Sequence, residues 1–137
     1  MKHYFDRWFE EVWNQGRIDA VDEMLAPGCR VHRADERGRG KDGPEEFKAF
    51  VQQMRTAFSG IHATVDGAIQ EGNQVAARFT FEATHSGDGL GFPPTNKRVK
   101  ITGMCWGVIE NGRAVEAWNN WDQLELFKQL DVVKLGD

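Results

Sequence analysis

The sequence predicts an α+β fold in which three N-terminal helices pack on a strongly curved antiparallel sheet. Apolar residues recur at helical spacing up to about Phe58, whereas beyond Gly60 the spacing changes to two, as in strands with one buried face. Tight-turn sequences separate the period-two segments, which is typical of an antiparallel meander. Helices followed by such a meander form two layers around one core. A curved sheet would leave a cone-shaped cavity for the aromatic side chains.

The composition indicates one globular domain over residues 1–137. The chain has 137 residues, 40% of them apolar and 28% charged, with a formal net charge of −4. Its basic residues are scattered, which argues against a nucleic-acid partner. No segment has the ~18 consecutive apolar residues of a membrane span, and charges interrupt the N-terminus where a signal peptide needs its apolar run. We therefore expect a cytoplasmic protein with no membrane partner.

Three helices are predicted in the N-terminal part. The first carries an apolar stripe and ends at Gly16, a residue suited to a left-handed cap. The second extends over about Ile18 to Leu25 and stops before Pro27. The third opens at Asp42-Gly43-Pro44, with acidic residues near its positive end. The stripe of the first helix consists of Tyr4, Phe5, Trp8, Phe9, Val12 and Trp13.

Four long strands and one short strand are predicted. The short strand, Cys29 to His32, precedes the third helix. Glu71-Gly72-Asn73 and Glu110-Asn111-Gly112 are hairpin signals, whereas the connection from Ser86 to Lys97 is longer. The long strands are predicted over Ile61–Gln70, Gln74–His85, Arg98–Glu110 and Arg113–Leu124.

The segment from Val115 to Asp122 carries the most informative polar residues of the chain. Alternation along a strand places on one face Glu116, Trp118, Asn120 and Asp122. A carboxylate and an amide in register with an indole form a plausible pocket lining, where burial tunes a carboxylate for proton transfer. The alternative is an edge strand whose polar face is solvated. The strand by itself does not decide between the two.

A series of short motifs runs through the chain in a fixed order. They are Trp13-Asn14-Gln15-Gly16, Ala26-Pro27 to His32, Ala57-Phe58, Ile61 to Val65, Val75 to Thr80, Thr84 to Gly87, Pro93 to Val99, Gly112 to Trp118, Asp122 and Gln129-Leu130. In this order and spacing they resemble the SnoaL-like polyketide (ester) cyclases of the nuclear transport factor 2-like superfamily. The resemblance implies a cone-shaped fold of that superfamily, with a pocket between the curved sheet and the helices.

The resemblance also implies a mechanism. The aspartate at the position that Asp122 matches is, in the characterised cyclases, the acid–base of an intramolecular aldol ring closure that uses no metal or cofactor. Two departures from the family pattern are present. One concerns Trp106 and Val108, which stand where polar partners are expected on the neighbouring strand. The other is Asn96, which replaces a usual glycine and tolerates the same left-handed turn.

Asp122 is the principal catalytic candidate, with His32 and Asn120 as residues that could relay a proton or hold an enolate oxygen. Each has a structural alternative: Asp122 as a partner of loop backbone, His32 as an edge of the core, and Asn120 as a hydrogen-bonding core residue. The period-two stripe of Met104, Trp106 and Val108 is either ordinary core or an apolar pocket wall. The full set of candidate pocket residues is Trp118, Trp106, Met104, Val108, His62 and Trp13.

No cofactor-binding or metal-binding residues are predicted. The four histidines are dispersed without metal-ligand spacing, and for His85 a structural hydrogen bond is the commoner role. Cys29 and Cys105 show neither metal spacing nor a disulfide framework. Glycines 87, 89 and 91 lie between strands and therefore cannot cradle a dinucleotide at a helix N-terminus.

Two functions follow from these observations. The first is cofactor-independent acid–base catalysis on a small apolar carbonyl compound, as aldol cyclisation or a related isomerisation or hydrolysis. The second is a non-catalytic module that binds a lipophilic metabolite. They differ in whether Asp122 lies inside an enclosed cavity with a polar partner.

A homodimer is also expected, through the outer face of the sheet. The resemblance implies this mode of association, and apolar residues on a sheet face that the helices leave uncovered need a partner. The residues that alternation assigns to that face are Val99, Ile101, Cys105, Val115, Ala117 and Trp121.

Overall fold

The computed structural model describes residues 3–136, which form four helical segments and one sheet. Three of these segments precede the long strands, as expected, and a fourth follows them. The helices are α1 over Tyr4–Arg7, which continues as a π-helix over Trp8–Asn14, then α2 over Asp19–Met24, α3 over Gly43–Ala57 and α4 over Gln123–Gln129.

The sheet has six strands, which are β1 over Leu25–His32, β2 over Lys41–Asp42, β3 over Phe58–Glu71, β4 over Gln74–His85, β5 over Arg98–Glu110 and β6 over Arg113–Trp121. Their order in the sheet is β2-β1-β6-β5-β4-β3. Strands β3 to β6 form an antiparallel meander, whereas β1 joins its free edge by pairing parallel to β6. The α+β fold is therefore confirmed, with one parallel pair in a sheet expected to be antiparallel.

The first helix differs from the prediction in its winding. The expected helix is present, but most of it has π geometry, as in the bond of 2.9 Å from the Gln15 N–H to the Glu10 carbonyl. Gly16 follows with a φ of +70°, as its predicted cap role requires. The π-helical segment buries four apolar side chains against the sheet, namely Trp8, Phe9, Val12 and Trp13.

The last strand ends earlier than predicted, because the chain turns into α4. Asp122 is the N-cap of α4: its carboxylate accepts a hydrogen bond of 3.1 Å from the N–H of Glu125. The helix then buries Leu126, and Leu130 directly after it is also buried. The period-two pattern of β6 therefore stops at Trp121.

The helices cover one face of the sheet, which we call the inner face. Phe79 and Phe81 of β4 and Ile101 of β5 are buried there. The opposite face, called the outer face, is open, and its Met104 and Trp106 are 64% and 47% exposed. Within residues 3–136, no helix combines the length and apolar character needed to cross a membrane.

The predicted assignment of faces on β5 and β6 is therefore wrong. Register shows the reason, because Cys105 pairs with Asn119 and Gly103 pairs with Trp121, so these residues continue the inner face. The residues expected on the outer face lie elsewhere: Val99, Ile101, Cys105 and Ala117 are buried in the core, Trp121 packs against the core, and Val115 is half-buried beside a bulge of β6.

Candidate active site

A cavity of about 80 Å³ lies between the N-terminal helices, α3 and the inner face of the sheet. Its wall is mostly aromatic and includes Trp8, Phe9, Trp13, Phe47, Phe79 and Phe81. Several of these rings contact one another, for example Phe9 and Phe79 with centroids 4.7 Å apart. Such edge and offset contacts hold the rings in place and keep the wall apolar.

Small residues on the inner face of β5 and β6 make room for the aromatic side chains that form the cavity wall. Gly103, Cys105, Gly107 and Ala117 occupy neighbouring inner-face positions. A Cβ atom on Gly103 would lie 2.6 Å from the ring of Phe79. Larger side chains in this row would therefore fill the space between sheet and helices.

Two polar side chains in the cavity wall are already satisfied by the backbone. The hydroxyl of Tyr4 donates a hydrogen bond of 2.8 Å to the carbonyl of Met24. The thiol of Cys105 donates to the carbonyl of Ala77 over 3.7 Å. Burial raises the pKa of both groups well above the ordinary values. Both therefore stay neutral and protonated at physiological pH.

Two other polar groups of the wall lack a protein partner. The indole Nε1 of Trp121 is buried without a hydrogen-bond acceptor among residues 3–136. The carboxamide of Asn119 also makes no side-chain hydrogen bond within this part of the chain. Because they are two residues apart on one strand, both project from the inner face of β6.

The described lining of the cavity contains no carboxylate, imidazole, ammonium or guanidinium group. Asp122 is exposed at the N-terminus of α4. Its backbone N–H donates to the carbonyl of Thr102 over 3.0 Å, which fixes its position beyond the end of β6. The expectation that this carboxylate projects into the cavity is wrong, because the side chain caps α4 instead.

His32 and Asn120 also lie on the outer side of the sheet. The parallel register of β1 and β6 sets His32 opposite Trp118, and the two rings stack with centroids 5.2 Å apart. The His32 Nε2 atom lies 2.7 Å from a carboxylate oxygen of Glu116. Asn120 pairs with Met104 across β5 and β6 on the same outer face. These residues are brought together, but away from the cavity.

The candidate pocket residues divide between the two faces. Trp13 is in the cavity wall as expected, and Trp118 borders both the cavity and a shallow groove on the outer face. Met104 and Trp106 line only that groove, and the Trp106 indole donates to the Gln74 side chain over 2.9 Å. The other two lie outside the cavity: His62 is exposed on β3 and Val108 is half-buried on β5.

His85 has the structural role that its position suggests. It is completely buried, and its Nδ1 accepts a hydrogen bond of 3.1 Å from the N–H of Thr95. Its ring packs against Phe58 and Phe92. Burial lowers the pKa of His85 from its ordinary value of 6.5, which keeps the imidazole neutral. His85 thereby fastens the connection between β4 and β5 to the core.

The described residues contain no group of three or more histidine, cysteine, aspartate or glutamate side chains that could hold a metal ion. The polar residues of the cavity that sequence analysis missed are Asn119 and Trp121. The signal for them was available in the row of small residues at Gly103, Cys105 and Gly107. Small side chains on a strand mark the face on which space is left, and register carries that face across to Asn119 and Trp121.

Comparison with known proteins identifies the family. The model of the family described as SnoaL-like polyketide cyclase matches residues 3–130. Aklanonic acid methyl ester cyclase DauD of Streptomyces sp. (strain C5) is 30% identical over 127 residues, covering 88% of this chain and 75% of that protein. Nogalonic acid methyl ester cyclase of Streptomyces nogalater is 33% identical over 88 residues, covering 64% of this chain and 65% of that protein.

Solved structures agree in fold. IdmH of Streptomyces antibioticus superposes with a TM-score of 0.78 at 28% identity, covering 96% of this chain and 100% of that chain. TsrD of Streptomyces laurentii has a TM-score of 0.81 at 24% identity, covering 95% and 93% of the two chains. With its family match, curved sheet and aromatic cavity, the chain belongs to the SnoaL-like polyketide cyclase family and has the nuclear transport factor 2-like fold.

Proposed function

We propose that this protein binds a compact, largely apolar carbonyl compound in its aromatic cavity. The observation that carries the proposal is the lining, which is aromatic and aliphatic apart from a few neutral polar groups. The cavity volume of about 80 Å³ is small beside the roughly 300–1,000 Å³ of pockets for drug-sized ligands. A ligand of one or two rings therefore suits this space.

Indanone, a rigid two-ring ketone, is a suitable probe for this binding. We expect calorimetry to detect its binding to the wild-type protein. Ala117→Leu, which fills the inner face, should weaken binding by about ten-fold or more because the cavity volume is lost. Ala76→Leu on the outer face is the matched control and should leave the affinity unchanged. An equal loss in both variants, or no binding to the wild type, would contradict the proposal.

A second candidate function is cofactor-independent acid–base catalysis on the bound carbonyl compound, with Asp122 as the base. Its support is the similarity to ring-forming cyclases, of which DauD is 30% identical to this chain. The carboxylate of Asp122 follows directly after Trp121, whose indole is in the cavity wall. A ligand whose carbonyl group lies at the Trp121 end of the cavity would bring its α-carbon toward this carboxylate.

Exchange of the α-protons of indanone in deuterated water tests this candidate. A catalytic Asp122 predicts accelerated exchange in the wild type and a loss of about 10²–10⁴-fold in Asp122→Asn. Because asparagine is as good an N-cap as aspartate, this variant should keep its stability. Asp122→Ala, which also removes the cap, should cost about 1 kcal/mol of folding free energy. Exchange no faster than in buffer would leave binding as the function.

We also infer that two copies of the chain associate through the outer face. Four large apolar side chains lie there, Ile69, Met104, Trp106 and Trp118, and they are 76%, 64%, 47% and 38% exposed. Clustered apolar exposure of this kind marks interaction surfaces. This set replaces the residues that sequence alternation assigned to the interface.

A further inference from the structure

We propose that the indole N–H of Trp121 is the donor that holds the carbonyl oxygen of the cavity ligand. The assignment rests on the proposed binding function and makes it more specific. Neither the sequence motifs nor the family resemblance had given Trp121 a role in the pocket. This hydrogen bond would give the cavity a preference for ligands with a carbonyl group and would fix the orientation of such a ligand.

The first step is the state of the indole itself. The Nε1 atom of Trp121 is buried and has no acceptor among residues 3–136, although most of the indole packs against the core. Buried donors in native proteins are nearly always paired. By contrast, the Trp106 indole on the outer face is paired with Gln74. The Nε1 atom itself has almost no accessible surface, so the indole of this wall residue has to turn before its N–H can meet an acceptor. Because residues 3–136 offer it no acceptor, the ligand is the group that can supply one once the ring turns.

The second step is the chemistry that the rest of the wall permits. The Tyr4 hydroxyl and the Cys105 thiol already donate to backbone carbonyls. The described wall carries no cationic side chain, so a carboxylate ligand would be buried without a counter-charge, at a high cost. A neutral carbonyl oxygen accepts the indole proton without that cost. The wall therefore favours a neutral acceptor, and the carbonyl of a ketone, aldehyde or ester is the one we assign to the ligand.

The third step is orientation. Trp121 is the last residue of β6, so an oxygen held by its indole lies at the end of the strand that leads to Asp122. Asn119 projects from the same face about 7 Å away along the strand, where it would meet a second polar substituent. A donor placed at a carbonyl oxygen also stabilises negative charge on that oxygen if an α-proton is removed. Trp121 is thus a positioning residue for either candidate function.

Paired probes test the assignment. Indane is the hydrocarbon counterpart of indanone and has nearly the same shape. We expect the wild-type protein to bind indanone about five-fold more tightly than indane, beyond the preference set by their different solubilities in water. Trp121→Phe keeps an aromatic wall but removes the N–H, and should abolish this excess. Trp106→Phe is the matched control, because its indole lies on the outer face, and should retain it.

The indole proton resonances provide a second measurement that needs no variant to bind. Trp121→Phe identifies the Trp121 signal as the one that disappears. Indanone should shift this signal downfield in the wild type, as a new hydrogen bond requires, and indane should not. If both probes bind but neither the affinity excess nor the downfield shift is seen, the role of Trp121 is overturned while binding stands. If neither probe binds, the binding function fails and this assignment fails with it.

Discussion

At the scale of single residues, Trp121 and Asp122 show that two neighbouring side chains at the end of a strand can face entirely different surroundings. They are neighbours in the chain, yet the indole is in the cavity wall and the carboxylate caps α4 outside it. Along a strand, a shift of one residue exchanges the two faces completely. Polar side chains do lie together on one face of β6, as the sequence predicts. That face is the outer one, where the His32 imidazole contacts the Glu116 carboxylate.

His85 predicts a pH dependence of stability. Burial lowers the pKa of His85 in the folded protein from its ordinary value of 6.5. Below pH 6.5 the His85 imidazole is therefore protonated more readily in the unfolded chain than in the folded protein. The stabilisation is complete above the unfolded pKa and is lost as the pH falls through the folded one. We expect the melting temperature to decrease from about pH 7.5 to about pH 5.

The variant His85→Asn isolates this contribution. Its amide oxygen can still accept the Thr95 N–H, but the side chain does not titrate. Whatever its absolute stability, its melting temperature should depend less on pH than that of the wild type. His62→Asn, which changes an exposed histidine, should keep the wild-type slope. Parallel slopes for the wild type and His85→Asn would contradict the assignment.

The residues that sequence reasoning placed wrongly share a physical cause. Met104, Trp106 and Val108 form the more apolar row of β5, so burial alone favours them for the interior. The interior needed space instead, and Gly103, Cys105 and Gly107 supplied it. Which row of β5 side chains faces inward depends on how many aromatic side chains the helices pack against the sheet. The sequence pattern of a single strand does not contain that information.

At the scale of elements, the sequence predicted the bounds of a strand well where a turn sequence fixes the end of that strand. Strands β4 and β5 have the predicted bounds, and the hairpin at Asn111-Gly112 has the positive φ values, 53° and 80°, that its sequence indicates. Asn96 adopts the left-handed conformation with a φ of 59°. Helix α4 was missed because Leu124 and Leu126 extend the alternation of β6, while the cap formed by Asp122 interrupts it.

The connection from β4 to β5 is held against the end of α3, and its glycines make this possible. The N–H groups of Ser86 and Gly87 both donate to the carbonyl of Ala57. A Cβ atom on Gly87 would overlap the carbonyl oxygen of Thr56. The backbone of this connection therefore approaches the helix more closely than any side chain would allow.

Gly87→Ala is expected to destabilise the protein by about 1–3 kcal/mol, the usual cost of forcing extra volume into a packed contact. Chemical denaturation measures this change. Gly28→Ala is the matched control, because a Cβ atom on Gly28 of β1 would meet no other atom within 4 Å. It should be neutral or slightly stabilising. Equal effects of the two substitutions would show that close packing on α3 is not the cause.

At the scale of the whole molecule, the two faces of the sheet have separate uses. The inner face and the helices enclose the cavity, and the outer face carries the exposed apolar residues assigned to self-association. Apart from Trp118, which borders both surfaces, the residues that line the cavity need not contribute to the proposed dimer. This separation makes it possible to disturb association without disturbing the ligand site.

Trp106→Glu should convert the dimer to a monomer, because it places a charge in the centre of the apolar outer face. Light scattering at micromolar concentration measures the change in mass. Leu124→Glu introduces the same charge at another exposed apolar residue, on α4, which is 49% exposed, and should remain dimeric. A wild-type protein that is monomeric at this concentration would contradict association through the outer face.

The parallel pairing of β1 with β6 determines when the molecule can be completed during its synthesis. His32 and Glu116 meet across this pair although 84 residues separate them. The strand β6, which pairs with β1 along its length, is therefore synthesised only after the other five strands of the sheet. Until then the helices and β1 lack the sheet edge that covers them, and contacts this distant in sequence form slowly. While β6 is still missing, the aromatic residues of α1 and of the π-helical segment consequently have to be kept from aggregating.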